Sequence, residues 1–174
     1  EGIDAVEILI IDDGSTDRTS EVARENGADH IVRFAQNRGL GHAFKAGFDT
    51  ALRLGADIII NTDGDNQYFG GDVEALVQPI LEQRADLVIG DRRTGEINHF
   101  SLLKRALQTY GSRVISRLGG LQIPDVASGF RAYTRETALK ISMFTDFDHT
   151  AEHVVQAGQD HWAVVTVPIR TNPK

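Results

Sequence analysis

Short apolar runs alternate with helical segments through the first half of the chain, and this alternation limits the fold more than any other feature of the sequence. Residues 6–11 form an apolar run of the kind expected for a buried parallel strand. The other elements predicted in this half are strands at 30–34, 57–61 and 86–90 and helices after residue 17, over 39–54 and over 72–83. Strands and helices in this order favour an α/β fold with a mostly parallel, Rossmann-like sheet flanked by helices.

The pattern changes after residue 90. A long helix is predicted over 98–118, a loop over 119–129, and strands over 130–134 and 163–169. The 174 residues, of which 41% are hydrophobic and 25% charged, suffice for one soluble domain with a buried core. Because the chain opens with Glu1 rather than Met, and begins and ends close to a strand, we expect residues 1–174 to be a single domain truncated at both ends.

Composition excludes several classes of protein. A net charge of −7 argues against a nucleic-acid partner, because such proteins need a basic face to replace the counterions around phosphates. The absence of cysteine excludes disulfides and thiolate metal sites. No apolar run approaches the roughly 18 residues of a membrane-spanning helix. A soluble enzyme or binding domain is the expectation that remains.

Two aspartates separated by one glycine follow the predicted strand at 57–61. Asp63 and Asp65 leave the strand end on the same side, Gly64 permits a tight turn, and Gln67 adds a neutral oxygen two residues later. Ligands of open α/β sheets bind beyond the carboxyl ends of the strands, which is where this pair is predicted to lie. Mg²⁺ is usually held by one or two carboxylates together with substrate phosphates. The sequence therefore predicts a divalent-metal site for a substrate that carries phosphate.

Two other structures compete for this segment. A polar turn whose aspartates cap the next helix is the usual role of an isolated Asp-x-Asp sequence, but the position at a strand end favours the metal site. An EF-hand loop would use Asp63, Asp65, Gln67 and Glu74 as ligands. It is excluded because its sixth position requires glycine for a sharp turn, and this chain has Tyr68 there.

Six short motifs, taken together and in their order, point to a family. They are Ile11–Asp17, Asn37–Ala43, Asn61–Gln67, Gly90–Arg92, Ser128–Arg131 and Val167–Ile169. With them the chain resembles the family 2 glycosyltransferases, which act on nucleotide-diphosphate sugars and have the GT-A fold, and within that family the dolichyl- and polyprenyl-phosphate sugar transferases. Each motif alone is weak, whereas six in this order are specific and cover nearly the whole chain.

The resemblance implies how the donor is held. Asp63, Asp65 and Gln67 would bind Mg²⁺ or Mn²⁺ against the diphosphate of a UDP- or GDP-sugar, with Asp65 also counted as catalytic. The residues implied for donor binding are Asp12, Asp13, Ser15, Asn37, Gly39 and Asp63. Among them Asp13 is expected to contact the nucleobase or ribose, while Asp12 and Ser15 shape the turn. For residues 15–17 helix capping is the more usual role.

A dinucleotide-binding fingerprint is the rival interpretation of the segment that starts at Gly39. It requires a third glycine where this chain has Phe44, so the fingerprint is excluded.

The acceptor implied by the resemblance is a polyprenyl phosphate, such as a dolichyl or undecaprenyl phosphate. Its phosphate is ionised at neutral pH, so attack on the sugar needs cations to hold the anion more than it needs a strong base. The acceptor-binding candidates are Arg92, Arg105, Ser128 and Arg131, with Arg131 also counted as catalytic. Asp125 could act as a base or orient Arg131, and an ordinary loop carboxylate is an equal alternative.

The predicted helix over 98–118 is amphipathic and carries four basic residues, Lys104, Arg105, Arg113 and Arg117. Two interpretations stay open for it. The cations are either solvated around a core-facing apolar stripe, or they contact anionic lipid from a helix lying on a membrane surface. A cytoplasmic protein, working at the cytoplasmic face of a membrane in its full-length form, is the expected location.

The chain also departs from the family pattern. The Gln-x-x-Arg-Trp motif of processive polysaccharide synthases is missing, which favours transfer of a single sugar, and inversion at the sugar carbon is implied by the family alone. The family's first strand would precede residue 1, which leaves the completeness of the donor site open. A noncatalytic nucleotide-sugar-binding fragment is therefore the main alternative. A haloacid dehalogenase-type phosphatase is less favoured, because it would carry the aspartate pair on its first strand.

Overall fold

The structure is a computed structural model and describes residues 3–93, 111, 119–141 and 149–173. The chain divides into two compact units, Glu1–Ala56 with Ser142–His149, and Asp57–Ile141 with Thr150–Lys174. That residues 1–174 act as one domain stays a prediction. Apart from Gly111, the predicted helix over 98–118 lies outside the described residues.

The first unit is built on a pair of parallel strands. Strand β1, Leu9–Asp12, pairs with β2, His30–Arg33, with Leu9 opposite His30 and Asp12 opposite Arg33. Helix α1, Thr19–Glu25, lies between them in sequence, and helix α2, Leu40–Leu54, follows. Helix α2 ends at Gly55, whose left-handed conformation lets its amide donate to carbonyls of the last turn.

A glycine brings α2 close to β1. A Cβ on Gly47 would lie 3.3 Å from Cγ1 of Ile11, so a larger residue would push the helix away from the strand. On the same helix Phe44 and Phe48 are buried, and their rings stack with centroids 4.3 Å apart. The core of the first unit therefore lies between α2 and the strand pair.

The predicted buried strand at 6–11 differs from the observed one. Strand β1 begins only at Leu9, while Val6 and Ile8 are 77% and 49% exposed. An apolar run is typical of a strand covered on both faces and flanked by neighbours. Among the described residues β1 pairs with β2 alone, so residues 6–8 have no second strand to cover them.

The second unit contains a four-stranded sheet in the order β3-β5-β4-β6. Its strands are β3 (Ile58–Asn61), β4 (Leu87–Asp91), β5 (Arg131–Thr134) and β6 (Val164–Pro168). Its helices are α3 (Val73–Leu81), α4 (Arg135–Lys140) and α5 (His149–Gln159), and a 3₁₀ turn at Gly70–Asp72 precedes α3.

Three of these strands run in one direction and β5 runs against them. Strand β5 is antiparallel to both β3 and β4, and β4 is parallel to β6. The α/β fold with a mostly parallel sheet is thereby confirmed. The alternation of strands and helices did not predict that β5 lies between β3 and β4, because periodicity identifies strands but not their neighbours.

One hydrophobic cluster in the core of the second unit packs between α3 and the sheet. It comprises Tyr68, Leu76, Ile80, Ala85, Val88, Phe130, Ala132 and Ile169. No helix among the described residues has the length and hydropathy of a membrane span.

Candidate functional site

The sheet of the second unit brings three loops to one edge. Strands β3 and β4 end at this edge, with Asn61 and Asp91, and the antiparallel β5 begins there with Arg131. Asn61 lies directly opposite Arg131 in the register, and its side-chain amide donates to the carbonyl of Gly129 at 2.8 Å. The loops that follow β3 and β4 and the loop that precedes β5 therefore meet. They carry six of the predicted site residues, Asp63, Asp65, Gln67, Arg92, Asp125 and Ser128.

The two aspartates after β3 lie at this edge, as predicted. The pKa of Asp63 is raised, mainly because burial desolvates its carboxyl group and secondly because the negative charge of Asp65 lies close to it. Asp65 accepts a hydrogen bond at Oδ1 from the amide of Gln67, at 3.0 Å. Neither carboxylate has an ion-pair partner within 4.0 Å among the described residues. Two adjacent negative charges without a close counterion form an arrangement that a cation would stabilise.

The ligand set suits a cation that keeps part of its water shell. No group of three or more His, Cys, Asp or Glu residues is placed to hold a metal in the part of the chain that the structure describes. Mg²⁺ and similar ions do not need such a cage, because they use one or two carboxylates and complete their shell with water and substrate phosphate. Asp63 and Asp65, with Gln67 close to them, fit a divalent cation of this kind.

Tyr68, which excludes an EF-hand loop, is also a site residue, and this role was not predicted from the sequence. It is buried, its ring stacks on Phe130 with centroids 5.1 Å apart, and its hydroxyl accepts from the amide of Gly129 at 2.9 Å. A hydrogen bond from the same hydroxyl to Asp63 opposes the rise in the pKa of that carboxyl. Tyr68 thus links the loop after β3 to the loop before β5. A bulky aromatic residue inside a polar, glycine-rich turn was the available signal.

Arg92 is held at the site by Asp125. Its guanidinium donates from Nε to Asp125 Oδ2 at 2.7 Å and from Nη2 to Oδ1 at 2.8 Å, and both side chains are more than nine-tenths buried. Burial alone would lower the pKa of Arg92, but the bonds and charge of Asp125 outweigh it, and the pKa is raised. Arg92 is also close enough to Asp63 to lower the pKa of that carboxyl slightly.

The predicted roles of Asp125 and Arg131 disagree with this geometry. Both oxygens of Asp125 are bonded to Arg92, so the carboxylate orients Arg92 rather than Arg131 and is not placed to act as a base. Arg131 is 0% exposed, and its guanidinium donates to the carbonyls of Ser128, Thr150 and Val126 at 2.8, 2.9 and 2.5 Å. A guanidinium committed to three carbonyls stabilises the loop before β5 and is not available to an acceptor phosphate.

Of the two other predicted acceptor residues, the structure describes only Ser128. Ser128 is fully buried, and its carbonyl accepts from Arg131. Arg105 lies outside the described residues, as does the rest of the predicted helix over 98–118 apart from Gly111. Among the acceptor candidates that the structure describes, Arg92 is the cation whose charge acts on Asp63.

The predicted donor residues of the first unit come together at the end of β1. Asp13 accepts from the amide of Arg38 at 2.7 Å and from the amide of Gly39 at 2.9 Å, which ties the turn after β1 to the loop before α2. Gly14 makes this approach feasible, since a Cβ there would lie 2.3 Å from the carbonyl carbon of Gln36. The structure thus places Asp13 next to the loop of Asn37 and Gly39.

Asp12 shapes the turn from inside. It is 2% exposed and accepts from the hydroxyl of Ser20 and, at 2.8 Å, from the amide of Ser15. The hydrogen bond from Ser20 lowers the pKa of Asp12 the most, and hydrogen bonding from Ser15 lowers it further. A buried carboxylate bound in this way supports the turn and does not reach a ligand directly. Just before α1, Asp17 accepts from the amide of Thr19 at 2.9 Å, while the N-cap position is Arg18, which makes no side-chain capping bond.

Comparison with known protein families gives one extended match. The family model described as "Glycosyl transferase family 2" matches residues 2–141. A protein of Methanocaldococcus jannaschii named "Uncharacterized protein MJ1222" is 36% identical over 170 residues, covering 94% of this chain and 69% of that protein. The polyprenol monophosphomannose synthase of Mycolicibacterium smegmatis is 33% identical over 145 residues, covering 79% of this chain and 54% of that enzyme.

Solved structures show the same fold. Glucosyl-3-phosphoglycerate synthase from Mycobacterium tuberculosis, in complex with Mn²⁺, uridine diphosphate and phosphoglyceric acid, superimposes with a TM-score of 0.73 at 19% sequence identity. That match covers 97% of this chain and 60% of the synthase, so the chain spans about three-fifths of its structural neighbour. The GT-A fold predicted from the motifs is confirmed.

Proposed function

Because the chain belongs to Glycosyl transferase family 2, we propose that its protein transfers one sugar from a nucleotide-diphosphate sugar to the phosphate of a polyprenyl lipid, with inversion at the sugar carbon. The observation that carries this proposal is the aspartate pair at the carboxyl end of β3, where the charge of Asp65 adds to the burial that raises the pKa of Asp63. The pair provides the local negative charge that a diphosphate-bound cation would neutralise.

Asp63, Asp65 and Gln67 would hold Mg²⁺ or Mn²⁺. Asp65 and Gln67 are linked by a hydrogen bond that the backbone N–H of Gln67 donates to the Asp65 carboxylate. When bound, such a cation neutralises the diphosphate of the donor and stabilises the nucleoside diphosphate as it leaves. The synthase of similar fold that was crystallised with Mn²⁺ and uridine diphosphate supports the choice of a divalent cation together with a nucleoside diphosphate.

In the first unit, Asp13 and the loop of Asn37 and Gly39 are proposed to contact the nucleoside part of the donor. Both oxygens of Asp13 accept from backbone amides, which fixes the carboxylate but leaves each oxygen a free lone pair. A ribose hydroxyl or a base N–H could donate to such a group. Asp12 and Ser15 support the turn and need not touch the donor.

Arg92 is proposed to attract the acceptor phosphate. Its bidentate bond to Asp125 fixes the guanidinium next to the aspartate pair, and the Nη1 group is not used in that bond. The nucleophile is an ionised phosphate oxygen, which forms a bond to C1 of the sugar while the bond from C1 to the diphosphate breaks. No proton has to be removed, so the engagement of Asp125 with Arg92 does not conflict with the reaction.

The acceptor class is supported by relatives. Besides the mannose synthase, the undecaprenyl-phosphate mannosyltransferase of Micrococcus luteus is 29% identical over 143 residues. A polyprenyl phosphate is a membrane lipid, so we place the reaction at the cytoplasmic face of a membrane, where nucleotide sugars are available.

A transfer assay with full-length protein tests this function. Undecaprenyl phosphate in detergent is incubated with radiolabelled UDP-glucose, UDP-N-acetylglucosamine or GDP-mannose and Mn²⁺, and lipid-linked product is measured by thin-layer chromatography. One donor should give a product with a single sugar, and the product should fall to background with EDTA or Asp65→Asn. Donor binding without product from any of the three donors would instead support a noncatalytic nucleotide-sugar-binding protein.

A further inference from the structure

The loop that carries the metal candidates contains a residue in an unusual conformation. Asn66, between Asp65 and Gln67, has a φ of +58°, in the left-handed region that residues other than glycine rarely adopt. Asparagine tolerates this conformation better than most residues, but the surrounding structure must still select it. Since the two neighbours of Asn66 are candidate ligands, the conformation at residue 66 determines where their oxygens lie.

The chain near its C-terminus supplies contacts that select this conformation. The side-chain amide of Asn172 donates from Nδ2 to the carbonyl of Asn66 at 3.0 Å, to its side-chain oxygen at 3.2 Å and to the carbonyl of Tyr68 at 3.2 Å. The backbone amide of Asn172 donates to the carbonyl of Gln67 at 2.8 Å. A single residue, 104 to 106 positions away in sequence, thus binds three consecutive residues of the loop.

An ion pair anchors the segment 170–172 to the same loop. Arg170 donates to Asp72 from its backbone amide at 2.6 Å and from Nε at 3.0 Å, and its guanidinium lies 4.0 Å from the ring centroid of Phe69. The amide of Phe69 donates to the carbonyl of Arg170 at 3.2 Å, which adds a backbone bond. Asn172 is therefore held in place independently of its own side chain.

We propose that Asn172 is a positioning residue for the metal site: its amide holds Asn66 in the left-handed conformation and so presents Asp65 and Gln67 to the cation. The inference rests on the proposed function, since it assigns Asn172 to the cation-binding loop of that site. Asn172, near the end of the described chain, thereby influences the affinity for the cation without contacting the cation. Loss of such supporting contacts typically weakens metal binding by about 10- to 100-fold.

Three variants test the inference. Asn172→Ala removes the donor, and Asn172→Asp keeps the shape but faces the three loop oxygens with a carboxylate. Asn26→Ala is the matched control, since the Asn26 amide also donates to a backbone carbonyl, that of Val22 at 2.8 Å, but in the first unit. Circular dichroism first establishes that each variant is folded at the temperature of the assays.

The first measurement is Mn²⁺ affinity, taken from the electron paramagnetic resonance signal of free Mn²⁺ with UDP present. Both Asn172 variants should bind Mn²⁺ about 10-fold more weakly than the wild type, whereas Asn26→Ala should not change. UDP affinity in EDTA should be unaffected in all three variants. If Asn172 only stabilised the fold, its substitution would lower the melting temperature, and the affinities for Mn²⁺ and for UDP would not respond differently.

The second measurement is amide hydrogen exchange at Gln67, whose N–H donates to Asp65. Exchange should be faster in both Asn172 variants. Normal Mn²⁺ affinity in the variants, or unchanged exchange at Gln67, would overturn the inference while leaving the metal site intact. If the wild type itself binds no Mn²⁺ although exchange at Gln67 responds to Asn172, the proposed function has failed, and the role of Asn172 in a metal site fails with it.

Discussion

The carboxylate of Asp63 fills the space that a side chain at Gly129 would need: a Cβ on Gly129 would lie 3.0 Å from Asp63 Oδ2 and 3.1 Å from Oδ1. The loop before β5 thus forms one wall of the candidate metal site. A side chain at position 129 would crowd this carboxylate, whereas the φ of Gly129 itself is not positive.

We expect Gly129→Ala to weaken Mn²⁺ binding by about 10-fold, the lower end of the range for lost supporting contacts, while the protein stays folded. The added methyl group meets the end of a side chain, which can move, so it should displace Asp63 rather than disrupt the sheet. Gly64→Ala is the control, because nothing lies within 4 Å of a Cβ at that position. Equal Mn²⁺ affinity of the two variants, measured by calorimetry, would show that the contact with Gly129 does not position Asp63.

Gly14→Ala should destabilise the first unit more than Gly27→Ala does. Both glycines have a positive φ, +76° and +91°, so both substitutions carry a strain of about 1–2 kcal/mol. At Gly14 the Cβ would also lie 2.5 Å from the backbone nitrogen of Asn37, whereas at Gly27 nothing lies within 4 Å. Urea unfolding followed by circular dichroism measures the difference. Equal losses of stability would mean that the close approach of the two loops is not part of the folded state.

Arg92→Ala should cost about 3–5 kcal/mol of stability, because it leaves the buried carboxylate of Asp125 without its partner. The double variant Arg92→Met with Asp125→Leu should lose much less, since no buried charge then remains unpaired. Both proteins should bind the acceptor phosphate poorly, as each lacks the cation. Chemical unfolding of the two variants tests the pairing, and a double variant as unstable as Arg92→Ala would argue against it.

The ion pair between Asp72 and Arg170 predicts a pH dependence. The hydrogen bond from Arg170 lowers the pKa of Asp72 below its ordinary value of 3.8. The folded state therefore gains stability from the ionised carboxylate above the unfolded pKa, and loses it as the pH falls through the lower folded pKa. Asp72→Asn should be less stable than the wild type at pH 7, and the gap should close below pH 3.8. A gap that is constant over this range, in urea titrations, would contradict the assignment.

The sequence predicted the parts of the site that depend on local pattern. Asp63 and Asp65 were placed correctly at a strand end, because three isoleucines before them identify β3 and the edge of an α/β sheet follows from its topology. Asp13 and the loop of Asn37 and Gly39 were also placed together, through recognised motifs. These predictions needed no knowledge of which strands are neighbours.

The parts that the sequence did not predict depend on contacts between distant segments. Arg131 looks like any other arginine in the sequence, and only the fold shows that its guanidinium binds three backbone carbonyls in the interior. The pairing of Asp125 with Arg92 spans 33 residues and follows from the reversed strand β5. The bonds from Asn172 to the metal loop could not be predicted for the same reason.

The most direct test of the account is titration of this chain with UDP and GDP, by calorimetry, with Mn²⁺ or with EDTA, for the wild type and Asp65→Asn. The account predicts that one nucleotide binds more tightly with Mn²⁺ than with EDTA, and that Asp65→Asn abolishes the gain without unfolding the protein. Binding of equal strength with Mn²⁺ and EDTA, or a full Mn²⁺ gain in Asp65→Asn, would contradict a metal site at the end of β3.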